Sequence, residues 1–313
     1  MPGNDAAYVV GSDGYLHALN VSNGWDNMTP ALFLPANTRA TGLIVATGAD
    51  GAVAYAATTH GCGSQPDAVW AMDLDSPQKT VVAFKANGAT IAGTAGPTFG
   101  RDGTVYVATR DGSSSLSNSV IALEPKTLKL KGSVAVPKAD FNSSPLVFAW
   151  KDKDAIVAAG GGTLLLFDAA AMQAGPIATA PISGAAYDIG AVVSWLDAQQ
   201  TRWIGVPSAR GIATFNVVEQ DGKVALQPGW TSREIVSPLT PLVINGVLFA
   251  ASSGTRSAPA VLYAIDAASG KDLWNSGKAI ASSVRGGLSG GQGNVYVPGL
   301  DSTLYAFGFE IEK

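Results

Sequence analysis

Cysteine is nearly absent from this chain of 313 residues, Cys62 being the only one. No intrachain disulfide can therefore form, and a Cys-x-x-Cys metal, redox or haem-attachment motif is excluded. Histidine is almost as scarce, at two residues, which leaves acid and base chemistry to carboxylates. Charge is sparse as well. Only 14% of residues are charged, the 20 Lys and Arg are scattered without a run, and the net charge is −4, so the basic footprint of a nucleic-acid or anionic-membrane binder is missing. No apolar run approaches membrane-spanning length, and neither a His-Glu-x-x-His motif nor a phosphate loop occurs. The first twenty residues, "MPGNDAAYVVGSDGYLHALN", lack the basic and long apolar segments of a secretory leader and enter a strand pattern almost at once. The expectation is a fragment whose upstream part has been removed.

What is abundant is glycine (37) and proline (17) within a 47% hydrophobic chain, a composition of short strands joined by tight turns. An internal repeat organises them. "GYLHALNVSNG", "AVWAMDLDSPQKTVV", "SVIALEPKTLKL", "TLLLFDAAAM", "GIATFNVVEQDGKVALQPGW", "VLYAIDAASGKDLWNS" and "STLYAFGFE" each run through an apolar strand toward a marker position: Asn20, Asp73, Glu124, Asp168, Asn216, Asp266 and Gly308. The markers are 42 to 53 residues apart, the period of a propeller blade. A second short strand precedes most of them ("GTVYVATRDG", "GVLFAASSG"), and another comes before that ("AGPTF", "LTPLVI"), bounded by Gly, Asp or Ser as antiparallel hairpins are. Each full unit therefore reads as four strands, A to D from the channel outward. A unit this small buries both faces only by stacking on its neighbours around an axis. An all-β, seven-bladed β-propeller is expected across residues 1–313 as one domain; a β-sandwich pair accommodates seven like units poorly. The first unit has no A strand and the last no D strand. The expectation is that one or two N-terminal closing strands are missing, with an eighth blade upstream as the alternative.

The least eroded unit reads Tyr263, Ala264, Ile265, Asp266, Gly270, Lys271 and Trp274, and a looser copy reads Asn216, Gly222, Lys223 and Trp230. This motif resembles the blade repeat of the PQQ-like propellers, which include the quinoprotein alcohol dehydrogenases and the outer-membrane assembly scaffold BamB. The resemblance spans nearly the whole chain and implies that the motif tryptophan, here Trp274, plugs the seam between neighbouring blades. It also implies a bacterial, exported setting, periplasmic or secreted. Quinone-dependent members carry a ring disulfide of adjacent cysteines, a tryptophan floor, calcium or a lanthanide held by Glu, Asn and Asp, and an aspartate base. Cys62 lies between Gly61 and Gly63, so that catalytic set is not carried over.

Two groups of residues remain as candidates. His60 and Cys62, in "TTHGCGSQPD", could share a soft metal, but two ligands are too few for a four-coordinate site. In a propeller the connections from strand D to the next strand A line one mouth of the channel, and here they carry Thr94, Asp140, Asn142, Asp188, Ser237 and Arg285. These polar residues come from different repeats and could converge on a ligand, or Asp188 and Arg285 could simply neutralise each other. "NSS" at Asn142 to Ser144 is also a glycosylation sequon. The expected function is a non-catalytic, monomeric scaffold that binds a protein or a small molecule; the alternative is a PQQ- and calcium-dependent alcohol or sugar dehydrogenase fragment.

Overall fold

The computed structural model describes residues 6–48, 51–59, 67–183 and 189–308. Among the described residues seven antiparallel sheets of three or more strands follow one another along the chain and are the blades of a seven-bladed β-propeller. Blade 1 has strands Ala6–Val10, Tyr15–Asn20 and Ala31–Leu32, and blade 2 has Ala40–Gly48, Gly51–Thr58, Ala68–Asp73 and Val81–Lys85. Blade 3 is built on Thr98–Phe99, Val105–Gly112, Ser119–Leu123 and Leu130–Ala135; an additional strand, Ala89–Ile91, pairs with the far end of Val105–Gly112. Blade 4 has Leu146–Trp150, Lys153–Gly160, Thr163–Asp168 and Ala178–Pro181, and blade 5 has Val193–Leu196, Arg202–Ser208, Gly211–Gln220 and Lys223–Thr231. Blade 6 has Leu242–Ile244, Val247–Ala251, Leu262–Asp266 and Asp272–Asn275, and blade 7 has Ser289–Gly291, Asn294–Pro298 and Leu304–Gly308. Among the described residues blades 1 and 7 thus hold three strands each, and the five between them hold a full A-to-D path. Among the described residues the helical content is a single 3-10 segment, Ala169–Ala174, which Asp168 starts by accepting the Ala170 amide at 3.0 Å.

The chain divides into two compact units. One is 1–147 with 172–175, and the other is 148–171 with 176–313. In the first, Tyr8, Val10 and Leu16 of blade 1 pack on Ala52, Ala54 and Met72 of blade 2; the opposite face of blade 2, through Val53, Tyr55 and Val69, packs on Val105, Val107 and Ile121 of blade 3. In the second, Trp195 and Trp203 of blade 5 meet Leu248, Ala250 and Ile265 of blade 6, while Phe249 and Leu262 on the other face of blade 6 meet Val295 and Val297 of blade 7. The alternation of side chains along a strand supplies one apolar row for each neighbour. Where sheets come closest, side chains are dispensed with altogether: a Cβ on Gly42 of blade 2 would fall 2.1 Å from the carbonyl oxygen of Ala95, ahead of blade 3.

The marker position is a turn-forming device. In blades 1, 3 and 6 the marker amide donates to the carbonyl five residues on (Asn20 to Trp25, Glu124 to Lys129, Asp266 to Lys271), and its carbonyl accepts from the fourth residue on. That fourth residue, Gly24, Leu128 or Gly270, sits at φ of 73, 53 or 74°, where glycine is the residue without steric cost. The marker side chain closes the loop, as Asp266 does by accepting the Ser269 amide at 2.7 Å and its hydroxyl at 2.6 Å. Those two bonds hold the Asp266 carboxyl below the ordinary aspartate range. In blades 1, 3 and 6 the acid or amide at the marker is therefore part of the turn, whereas Asn216 lies within strand Gly211–Gln220, paired with Gln227, and blade 7 has Gly308 at this position.

The seam tryptophan is clearest in the looser copy of the motif. The indole of Trp230, on strand D of blade 5, lies directly over Gly270 in blade 6, so close that a Cβ there would be 2.7 Å from Trp230 Cδ2, and its Nε1 donates to Ala267 O at 3.1 Å. Trp274 reaches the next blade too, its ring 5.6 Å from that of Phe307, but it stays 46% exposed.

Two outcomes test this account. Gly270→Ala combines a left-handed backbone with a collision on Trp230 and should cost about 2 kcal/mol or more, whereas Gly222→Ala, at a φ of 73° with nothing near its Cβ, should cost about 1 kcal/mol; urea midpoints of the two variants give the comparison. The second concerns acid. Burial raises the Asp102 carboxyl, but bonds from Lys131 Nζ at 2.9 Å and from the Thr104 amide and hydroxyl outweigh it and hold the group at about 2. A depressed carboxyl contributes stability that is complete above its unfolded value, about 3.9, and is lost as the pH falls toward the folded one. Denaturant midpoints should therefore decline between about pH 4 and pH 2, and less steeply in Asp102→Asn.

Candidate functional site

The connections from strand D to the next strand A are short, and hydrogen bonds rather than length hold them. In the first unit, Thr94 is exposed on the segment ahead of blade 3. Its neighbour Ala95 donates its amide to Ser144 Oγ at 3.1 Å, and that hydroxyl in turn donates to Ala92 O at 3.4 Å. Ser144 thus fastens the Thr94 segment to the Asn142 segment. Asp140 is exposed, at a φ of 35°, with its carboxylate 3.6 Å from Arg110 Nε and its amide donating to Asn118 Oδ1 at 2.8 Å. Its pairing is with the outer loops of blade 3. Asn142 is 4% exposed. The sequon it opens is therefore closed to a modifying enzyme in the folded protein.

In the second unit the Ser237 and Arg285 segments are joined through Ser253. The Ser253 amide donates to Ser237 O at 3.0 Å, and the Val284 amide donates to Ser253 O at 2.7 Å, which leaves Ser237 and Arg285 exposed on a braced backbone. Ser237 holds a φ of 48° to do this. A comparable tie joins the blade 5 and blade 6 segments, where Ala191 N donates to Thr240 Oγ1 at 3.1 Å. Ser144, Ser253 and Thr240 were not singled out in the sequence. Ser144 and Thr240 each stand two residues before a strand A, whereas Ser253 follows strand B of blade 6.

Of the remaining candidates, Asp188, His60 and Cys62 lie outside the described residues. Contrary to an expected absence of Gly-x-Ser-x-Gly, the sequence contains that pattern at Gly287 to Gly291. Its Ser289 opens a strand, paired with Tyr296, and no helix follows, so the strained strand-to-helix elbow that exposes a nucleophile is not formed. The one histidine among the described residues, His17, has Nδ1 3.1 Å from Asp26 Oδ2 on blade 1.

The fit of a calcium-held quinone can be judged on donors and on the tryptophan floor. Among the described residues no three His, Cys, Asp or Glu side chains come together. Trp195 and Trp203 are stacked, 6.0 Å apart and 5° from parallel, but they are 7% and 9% exposed within the seam of blades 5 and 6, and Trp203 Nε1 donates to Asp197 Oδ2 at 2.8 Å. They are core. The stacked pair is therefore closed inside the seam and offers no exposed tryptophan floor.

No family model and no curated protein matches this sequence. Solved structures do. The dihydro-heme d1 dehydrogenase NirN, in complex with DHE, superposes with a TM-score of 0.64 at 13% identity, over 98% of this chain and 62% of its own. Quinohemoprotein alcohol dehydrogenase from Comamonas testosteroni superposes with a TM-score of 0.54 at 13% identity, over 94% of this chain and 61% of its own. The β-propeller domain of Cps50 (Swd1) from Myceliophteria thermophila does so with a TM-score of 0.62 at 14% identity, over 97% of this chain and 94% of that domain. The chain spans about three fifths of each of the two dehydrogenases and nearly the whole of the third structure. At such identities the likeness is one of fold, the seven-bladed β-propeller.

Proposed function

We propose that this chain is a rigid β-propeller platform of the PQQ-like kind, which binds a protein or small-molecule partner through the connections between its blades. The observation that carries the reading is the bracing of those connections. Thr94, Ser237 and Arg285 are exposed on segments whose backbones are fixed by bonds to Ser144 and Ser253. Polar side chains on a pre-ordered backbone lose little further entropy on binding, which is the economy of a recognition surface built on a stiff scaffold. The closure of the stacked Trp195 and Trp203 pair inside a seam favours this reading over a quinone-dependent dehydrogenase like the quinohemoprotein among the structural neighbours. A periplasmic or secreted location is part of the proposal and rests on the sequence resemblance alone.

The two readings part on a simple assay. The protein is incubated with PQQ and calcium, and dye-linked oxidation of alcohols and sugars is followed together with quenching of its tryptophan fluorescence. The platform reading expects neither dye reduction above a calcium-only control nor saturable quenching. Turnover that needs both PQQ and calcium would replace it with the dehydrogenase.

A further inference from the structure

We propose that one edge of blades 5 to 7 docks an acidic polypeptide segment, whose carboxylates pair with the guanidinium groups of Arg210, Arg256 and Arg285; this rests on the platform reading and names the chemistry of the partner. In an antiparallel blade the A–B and C–D turns lie on one edge of the sheet, and the B–C and D–A connections lie on the other. The second compact unit sorts its charge between these edges. Among its described residues the A–B and C–D edge carries eight carboxylates, Asp168, Glu219 and Asp266 among them, against five cations, four of which are lysines. The B–C and D–A edge carries Arg210, Arg233, Arg256, Lys278 and Arg285 against Glu234 and Asp301. A chain of net charge −4 therefore presents a positive edge here. Pairing differs as well. On the first edge Lys151 pairs with Glu219, and Lys153 with Asp168 at 3.0 Å. On the second Arg233 reaches Asp272 at 3.1 Å and lies over the Tyr263 ring, but Arg210, Arg256 and Arg285 are exposed and form no ion pair among the described residues.

The backbones beneath these arginines are fixed and joined in series. Ser208 Oγ accepts the Arg210 amide at 3.4 Å and donates to Gly211 O at 2.9 Å, while the Ile212 amide donates to Ser232 Oγ at 2.9 Å, which ties this hairpin to the segment entering blade 6. That segment is held again at Ser237, whose carbonyl accepts the Ser253 amide. Arg256 sits in a turn closed by Thr255 N to Ala258 O at 2.7 Å and by Ala258 N to Thr255 Oγ1 at 3.0 Å. The same loop holds the Arg285 segment, since Ser253 O accepts the Val284 amide and the Ala260 amide donates to Ser282 O at 2.9 Å. A guanidinium on such a base offers paired donors in a plane that matches a carboxylate, where lysine would act as a point charge. Clusters of this kind recognise acidic motifs. Val236, 68% exposed, stands on the segment between Ser232 and Ser237. An apolar side chain amid arginines suits a ligand that alternates carboxylates with apolar groups, as a polypeptide does and a phosphate backbone does not. Sheets stack about 10 Å apart, so about ten extended residues, spanning roughly 33 Å, cross three blades.

The test is fluorescence anisotropy of a fluorescein-labelled peptide of Glu, Leu and Gly, about ten residues long, titrated with the protein at about 50 mM salt, where surface charge is weakly screened. The Kd should lie below about 1 mM, rise with added salt, and be lost when Gln replaces every Glu of the peptide. Arg256→Gln and Arg285→Gln should each weaken binding about two- to fivefold, the range of one exposed ion pair, and Lys271→Gln, on the opposite edge, should leave it unchanged. Circular dichroism verifies folding of each variant. Oligothymidylate of the same length is the phosphate control. Absence of binding below about 1 mM, equal binding of the Gln peptide, tighter binding of the oligothymidylate, or arginine variants that bind as the wild type does would each overturn the proposal. The platform reading is judged apart from this, by the PQQ assay: a protein without quinone turnover that ignores the acidic peptide keeps that reading and loses this one.

Discussion

A four-stranded sheet in this chain has two apolar faces and, by itself, no way to bury either. Everything else follows from that. Burying both requires a neighbour on each side, and the neighbours must approach within the span of small side chains, which explains the Ala, Gly and Val content of strands such as Gly51–Thr58, buried at seven of its eight residues. The stabilisation comes from area removed from water at roughly 25 cal/mol per Å², and it is distributed over seams instead of gathered in one core. A weak seam is accordingly a local defect. Trp230 crosses such a seam because Gly270 offers an unhindered backbone beneath its ring.

The turn at the end of strand C serves the same constraint. To return the chain as strand D in register, it must reverse within five residues, and the acid or amide at the marker position satisfies backbone amides that the reversal leaves over. An acid or amide recurs at such ends because the turn uses it, as at Asn20 and Asp266. Where the sequence places an alanine run after Asp168, the same carboxylate starts a short 3-10 segment instead.

The repeat, the strand order and the blade number were legible in the sequence because they are written in patterns that recur: period-two strands, Gly-bounded hairpins, and a marker every 42 to 53 residues. The additional strand Ala89–Ile91 was not, since three residues carry no periodicity. The tryptophan was placed on the right structural feature but weighted to the wrong copy. Trp274 belongs to the better-preserved motif and is nearly half exposed, while Trp230, in the looser motif, is pinned by a glycine that sits in the next repeat. A motif scored within one blade cannot register a contact whose other half is some forty residues on. The same reason hid Ser144 and Ser253, whose partners are in neighbouring repeats, and made Asn142 look like surface when it is 4% exposed.

The distribution of charge carries information that neither motif nor fold supplies. In a repeat protein each blade is free to vary where it meets solvent, and polar substitutions accumulate at strand ends and outer edges, as with Lys131 beside Asp102 or Lys153 beside Asp168, 2.9 and 3.0 Å apart. Such pairs at the surface contribute little to stability, so their presence signals tolerance and not need. A blade whose strands carry no ionised group at all is under a different restriction, because a lone charge brought into an apolar contact would cost several kcal/mol. The strands described for blades 1 and 7 are of this kind, and those of blades 2 to 6 are not.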